Sequence, residues 1–204
     1  MIVSLTAEKL ACVRGDRQVF TALDFQLGAG EVLVVEGANG VGKTSLLRLI
    51  AGFLPPATGS IAITTDKNVI SDGEERGRQA GWLGHQDGIK PQLSVGEQLE
   101  FFAHLYGART ELEGVLNQVG LSRQRLLPCR YLSAGQKKRL GLARLMISAR
   151  PLWLLDEPFA ALDTAGRTLA SALMQAHCAS GGIVVAASHD PFGFAARSMR
   201  LEAP

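Results

Sequence analysis

Three cysteines, Cys12, Cys129 and Cys178, are all this chain has, and none belongs to a C-x-x-C pair or to the C-x-x-C-H of a haem attachment site. That excludes a disulfide framework and leaves reduced structural thiols as the expectation. Apolar runs are short as well. The longest, such as GGIVVAAS, have the length of a strand, well under the roughly 18 residues of a spanning helix. The opening MIVSLTAEKL lacks the basic flank and apolar stretch of a signal peptide, so a chain made and kept in the cytoplasm is expected. An excess of one charge is also missing. The formal net charge is +2, which neither demands nor excludes an anionic partner. No internal repeat or long linker divides the 204 residues. With 47% hydrophobic and 20% charged residues they suit one globular domain with room for an inserted subdomain.

What the chain does have is an alternation of short apolar runs and helical patterns. IVSLTAEKLACV and QVFTALDFQL read as extended segments split by a turn at Arg14-Gly15-Asp16. EVLVVE reads as a buried strand, and Gly37 to Gly42 lead from it into the amphipathic KTSLLRLIAG, which stops at Gly52 and Pro55-Pro56. TGSIAIT is a further strand. Residues 65–79 are polar and read as a solvated loop with a short helical turn, and AGWLGHQ as a strand running to Gln86. The pattern then turns helical. Ser94 and Glu97 form a capping box ahead of an apolar face at Leu99, Phe102, Ala103 and Tyr106, and Leu112, Val115, Leu116 and Val119 make another. PLWLLD and GGIVVAAS are strands on either side of a helix around 165–178. The reading is an α/β core, about 1–89 and 150–204, interrupted by a helical insert of about 90–149.

The chemistry begins at Gly37-Ala38-Asn39-Gly40-Val41-Gly42-Lys43-Thr44, which fits G-x-x-x-x-G-K-[ST] between a strand and a helix. Glycines let successive N–H groups point at phosphate oxygens, and the helix that follows adds partial positive charge. Lys43 would reach the β- and γ-phosphates, Thr44 would ligate Mg²⁺, and Ser45 would lie near the α-phosphate. LWLLDEP ends a strand in Asp156 and Glu157, placed for the outer shell of Mg²⁺ and for activating a water. His189 follows another core strand and suits a γ-phosphate sensor, and Gln86 is placed to reach metal or water. His85, His104 and His177 have only structural readings.

Leu132-Ser133-Ala134-Gly135-Gln136 is ambiguous by itself, because Ser133 and Gln136 make an ordinary capping box. The ordered set resolves it. GANGVGKT, Gln86, LSAGQ, LWLLDE, AALD and His189 together resemble, over nearly the whole chain, the ATP-binding cassette (ABC) ATPases. The resemblance implies a P-loop NTPase fold of the RecA-like type, with an antiparallel β subdomain and an inserted helical one. It also implies MgATP hydrolysis by two copies paired head to tail around two ATPs. Each ATP would lie on one copy's phosphate loop and beneath the other's LSAGQ, with Ala160, Ala161, Leu162 and Asp163 as the D-loop between them. Three positions depart from the family pattern. Ala134 replaces the commonest Gly, Ala160 replaces a frequent Ser, and Arg14 stands where an aromatic usually stacks on adenine.

RGDRQVFTALDF, GHQDGIKPQLSVGEQLEF and LSAGQKKRLGLARL further resemble the ATP-binding subunits of cytochrome c maturation (Ccm) systems, described as haem exporters. That branch implies an ATPase docked on integral membrane subunits of the Ccm complex, at the cytoplasmic face of the bacterial inner membrane. It would drive haem export or release of a haem-loaded chaperone, with no nucleic acid partner and no direct haem binding. The docking groove is expected around Asp87 to Gln92 and the helix after Ser94. Other readings are an ATPase of another small exporter, a soluble ABC clamp on nucleic acid or ribosomes, and a non-hydrolysing structural subunit. The clamp lacks its usual tandem cassettes or coiled-coil insert here, and the structural subunit is disfavoured by the presence of Lys43, Asp156, Glu157 and His189.

Overall fold

The structure, a computed structural model, describes residues 1–84, 88–109 and 111–202. In chain order the elements are β1 (Ile2–Arg14), β2 (Arg17–Gly28), β3 (Val32–Glu36), α1 (Lys43–Ile50), β4 (Thr58–Thr65), β5 (Val69–Ile70), α2 (Gly73–Gln79) and β6 (Ala80–Leu83). Then follow α3 (Val95–Tyr106), α4 (Leu112–Gln118), α5 (Ala134–Ser148), β7 (Leu152–Asp156), α6 (Thr164–Ala179), β8 (Ile183–Ala187) and β9 (Arg197–Arg200). Short 3-10 turns at Ser122–Gln124 and Cys129–Tyr131 lie between α4 and α5.

The strands form two sheets. An antiparallel one has the order β2-β1-β4-β5, and a parallel one the order β6-β7-β8-β3-β9. β8 is buried along its whole length, as expected of a central parallel strand covered on both faces. Strand periodicity then sorts side chains between two cores. Leu33, Val35, Leu152, Leu154, Ile183 and Val185 join α1 and the inner face of the antiparallel sheet. Val32, Val34, Trp153, Leu155, Val184 and Ala186 face the other way, onto Leu142 and Leu145 of α5 and Ala170 and Met174 of α6. A third core holds Val95, Leu99, Val115 and Leu116 against Leu140, Ala143 and Ile147 of α5. α5 thus serves two cores from adjacent faces, and ties the helical insert to the sheet.

The structure departs from the sequence reading in three places. Residues 65–79 hold β5 and α2 rather than a loop with a turn. Asp72 caps α2 by accepting from the Glu75 N–H, and Arg76 is buried, donating to the carbonyls of Leu49, Ile50, Ile61 and Ser71. Two of those acceptors are end-of-helix carbonyls of α1, which need a donor from outside their helix. The group that anchors this segment is therefore a guanidinium, and apolar periodicity could not reveal it. β6 ends at Leu83, short of Gln86, and residues 85–87 lie outside the described ones. β9 was not foreseen either. Its RSMR is a mostly exposed, charged edge strand, the usual way an edge is kept from pairing with other chains.

Among the described residues, no helix is long and apolar enough to cross a membrane. Burial raises the thiols of Cys12 and Cys129 above their ordinary values and pushes Cys178 up to about 11, which fits inert structural cysteines.

Candidate active site

Three neighbouring parallel strands, β7, β8 and β3, end on the same side, and the loops that follow them converge there. This is the crevice where open α/β sheets bind ligands. The loop after β3 enters α1 through Gly42, which has φ 116°, and a Cβ there would stand 2.3 Å from Val19 Cγ1. Only glycine fits. No side chain caps α1, so its first-turn N–H groups have no partner from an N-cap side chain and are free for an anion.

Lys43 is buried, and its ammonium is held by groups that a ligand could replace. Nζ lies 2.7 Å from the Gly37 carbonyl, 3.2 Å from the Ala38 carbonyl and 2.9 Å from His189 Nε2. His189 Nε2 also lies 3.2 Å from Asn39 Oδ1 and 3.8 Å from Glu157 Oε1. Thr44 donates its hydroxyl to Asp156 Oδ2 at 2.8 Å. Asn39, Gly40, Gly42, Lys43, Thr44, Ser45, Asp156 and Glu157 line an open cavity of about 450 Å³. Glu157 holds a left-handed backbone at φ 49°, a conformation that costs a non-glycine residue about 1–2 kcal/mol. Its N–H donates to the Ala187 carbonyl at the end of β8, 2.9 Å away, which fixes the strained turn.

The LSAGQ segment is a complete cap. Ser133 Oγ accepts from the Gln136 N–H at 3.2 Å, and Gln136 Oε1 accepts from the Ser133 N–H at 2.9 Å. Leu132 is buried behind it, whereas Ser133 and Ala134 are exposed. Gly135 lies so close to the Ala160–Asp163 turn that a Cβ would stand 2.7 Å from the Ala161 carbonyl oxygen. Ala161 is left-handed at φ 63°, Leu162 is buried, and Asp163 caps α6 by accepting from the Gly166 N–H at 2.8 Å. None of residues 132–136 lines the phosphate-loop cavity. Ala134 instead lines another, of about 500 Å³, with Ala160, Ala161, Lys137 and Lys138.

The structure therefore brings the 37–45 loop, Asp156, Glu157 and His189 together and leaves LSAGQ apart. Gln86 lies outside the described residues. Arg14 is exposed at the end of β1 and lines neither cavity beside the phosphate loop. Arg17 and Arg200 do line one, of about 310 Å³, with Ala38, Asn39, Gly40 and Val41. Sequence reasoning missed both, since neither belongs to a motif and Arg200 arrives on the unforeseen β9.

A model of the ABC transporter family matches residues 20–160. The cytochrome c biogenesis ATP-binding export protein CcmA of Rhodopseudomonas palustris strain HaA2 is 50% identical over 204 residues, covering 98% of each chain. The protein of the same name from Bradyrhizobium diazoefficiens is 47% identical over 200 residues, again with 98% of each chain covered. Among solved structures, a putative ABC transporter ATP-binding protein from Pyrococcus furiosus superimposes with a TM-score of 0.84 at 22% identity, covering 97% of each chain. An ATP-binding subunit of an ABC transporter does so at 0.79 with 25% identity, covering 91% of this chain and 79% of the other.

Proposed function

The chain belongs to the ABC transporter family, within it to the CcmA cytochrome c biogenesis ATP-binding export proteins, and on that premise we propose how its residues work as an ATPase driving cytochrome c maturation. One observation carries the reading. Lys43 is buried, yet His189 and two loop carbonyls hold it in place, all at the strand ends where Glu157 also lies.

When ATP enters, Lys43 exchanges those contacts for the β- and γ-phosphates, and the first-turn N–H groups of α1 take phosphate oxygens. His189 then turns to the γ-phosphate, beside Asn39. Glu157 is the general base that polarises the attacking water, held by its strained turn. Gln86 would complete the positioning of that water. Thr44 Oγ1 and Asp156 Oδ2, 2.8 Å apart, are hard oxygens that would hold Mg²⁺. Bound there, the cation would supply charge neutralisation at the phosphates. Ser45 would lie near the α-phosphate, and Arg17 and Arg200, rather than Arg14, line the cavity beside the loop.

The other half of the grip comes from a second copy. Ser133 and Ala134 are exposed and Gly135 and Gln136 half-buried at the start of α5, so a γ-phosphate held by the partner would take the Ser133 hydroxyl and the N–H groups that follow it. Ala160 to Asp163 would lie between the copies. The helical insert, about 90–149, would move against the core and push an integral membrane subunit at the cytoplasmic face of the inner membrane. The work would be haem export or release of a haem-loaded chaperone.

Two experiments test this. Copies carrying Glu157→Gln with Asn39→Cys and Ser133→Cys should crosslink with one another only when ATP is present. No ATP-dependent crosslink would sink the head-to-tail arrangement. Cells lacking the chain should lose holocytochrome c, recover it with the unaltered sequence and not with Glu157→Gln. Equal recovery with both would reject the assigned base.

A further inference from the structure

We propose that Arg167 is a positioning residue for His189, fastening the segment that carries the histidine to the turn at the start of α6. Arg167 Nη1 donates to Asp190 Oδ1 at 2.7 Å, and its Nε donates to the Leu162 carbonyl at 3.3 Å. One guanidinium thus joins the residue after His189 to the Ala160–Asp163 turn. His189 itself protrudes, its side chain 49% exposed, so its own packing does little to hold the ring. The segment depends on its neighbours. Ser188 is buried, and its Oγ accepts from the Asp190 N–H at 3.0 Å, while Ser171 of α6 donates to the Phe192 carbonyl at 3.0 Å. Phe192 meets Phe159 edge-on at 5.0 Å. Of these ties only the Arg167–Asp190 pair is ionic, and it lies next to the histidine.

Magnitudes separate a positioning role from a stabilising one. The two side chains are 43% and 32% exposed, and ion pairs in such settings add little to folding stability. Placement of a reacting group is far more sensitive. A displacement of about 1 Å can cost about a hundredfold in rate. The same turn also touches the LSAGQ helix, through the Ala161 carbonyl against Gly135. A shift of that helix when a partner's nucleotide arrives would therefore reach Leu162, Arg167, Asp190 and then His189.

The inference rests on His189 acting at the γ-phosphate, as proposed above, and the experiment separates the two. ATP hydrolysis by the full chain is measured for Arg167→Met, Asp190→Asn, the pair together, Arg167→Lys and His189→Ala, beside their thermal midpoints. Arg167→Met should lower kcat by about 10- to 100-fold with KM unchanged within about twofold, and leave the midpoint nearly in place. Asp190→Asn should match it, the double variant should be no worse than either, and Arg167→Lys should recover part of the rate. Wild-type kcat in Arg167→Met, or losses that multiply in the double variant, would overturn the proposal. Asp190→Asn, nearly isosteric, carries the test should Arg167→Met fold poorly. An inactive His189→Ala beside a fully active Asp190→Asn rejects this inference alone, whereas a fully active His189→Ala rejects the role of the histidine and the inference with it.

Discussion

The phosphate loop and the LSAGQ segment are both helix N-termini to which we assign an anion, yet they are prepared in opposite ways. At the phosphate loop the helix has no side-chain cap, and the surrounding polar groups come from β3, β7 and β8. At LSAGQ the cap is complete and wholly local, two hydrogen bonds across three residues. The first end holds its N–H groups open and parks its cation on spare carbonyls. The second has the N–H groups of Ser133 and Gln136 already satisfied by each other's side chains. The difference matches the order of events proposed here, in which one copy binds nucleotide before the other closes over it. An uncapped anion site favours early binding, and a capped one raises the threshold for the later contact.

The sharpest way to test that division is at the chemistry itself. Glu157→Gln should lower hydrolysis by about 10² to 10⁴ while equilibrium ATP binding is kept. Loss of binding in step with hydrolysis would mean that Glu157 belongs to the grip and not to the water. Gly42→Ala probes the open end. Its Cβ must enter Val19 at a left-handed backbone, so a loss of about 2–4 kcal/mol in unfolding free energy is expected, along with ATP binding. Ser133→Ala probes the capped end. Denaturation should show a loss of only about 1 kcal/mol, while ATP binding to the isolated copy is untouched and ATP-dependent dimerisation in the Glu157→Gln background, followed by light scattering, fails. A large loss of single-copy ATP binding there would erase the contrast between the two ends.

The smallest effect comes from a site remote from both, as a control on pH titrations of activity. His177 stacks on Trp153 at 4.0 Å, and burial lowers its pKa below the ordinary 6.5, against the raising effect of its hydrogen bond to the Pro151 carbonyl. A histidine kept neutral in the fold contributes stability that is full above about 6.5. That contribution is lost as the pH falls through the lowered native value, because the unfolded chain binds the proton first. Stability should therefore decline modestly on acidification below 6.5, and His177→Asn should flatten that decline in a pH series of denaturation curves.

Much of this was legible in the linear chain, because the relevant physics is local. A glycine loop between strand and helix, a capping box and a strand ending in carboxylates each use neighbouring residues, and the order of such signals identified the cassette. What sequence alone could not reach were groups whose partners lie far along the chain. Arg76 satisfies carbonyls 15 or more residues away in α1 and β4, so a polar stretch proved to be anchored structure. Arg17 and Arg200 line a cavity with the phosphate loop because the start of β2 and the edge strand β9 both reach it, and Arg14, the residue motif alignment favoured, does not line it. Arg167 and Asp190 are 23 residues apart and carry no motif. Local patterns determined what the chain is, because propensity, capping and turn chemistry act over a few residues. Packing of the parallel sheet decided which distant charges would meet, because burial gathers side chains without regard to their separation along the backbone.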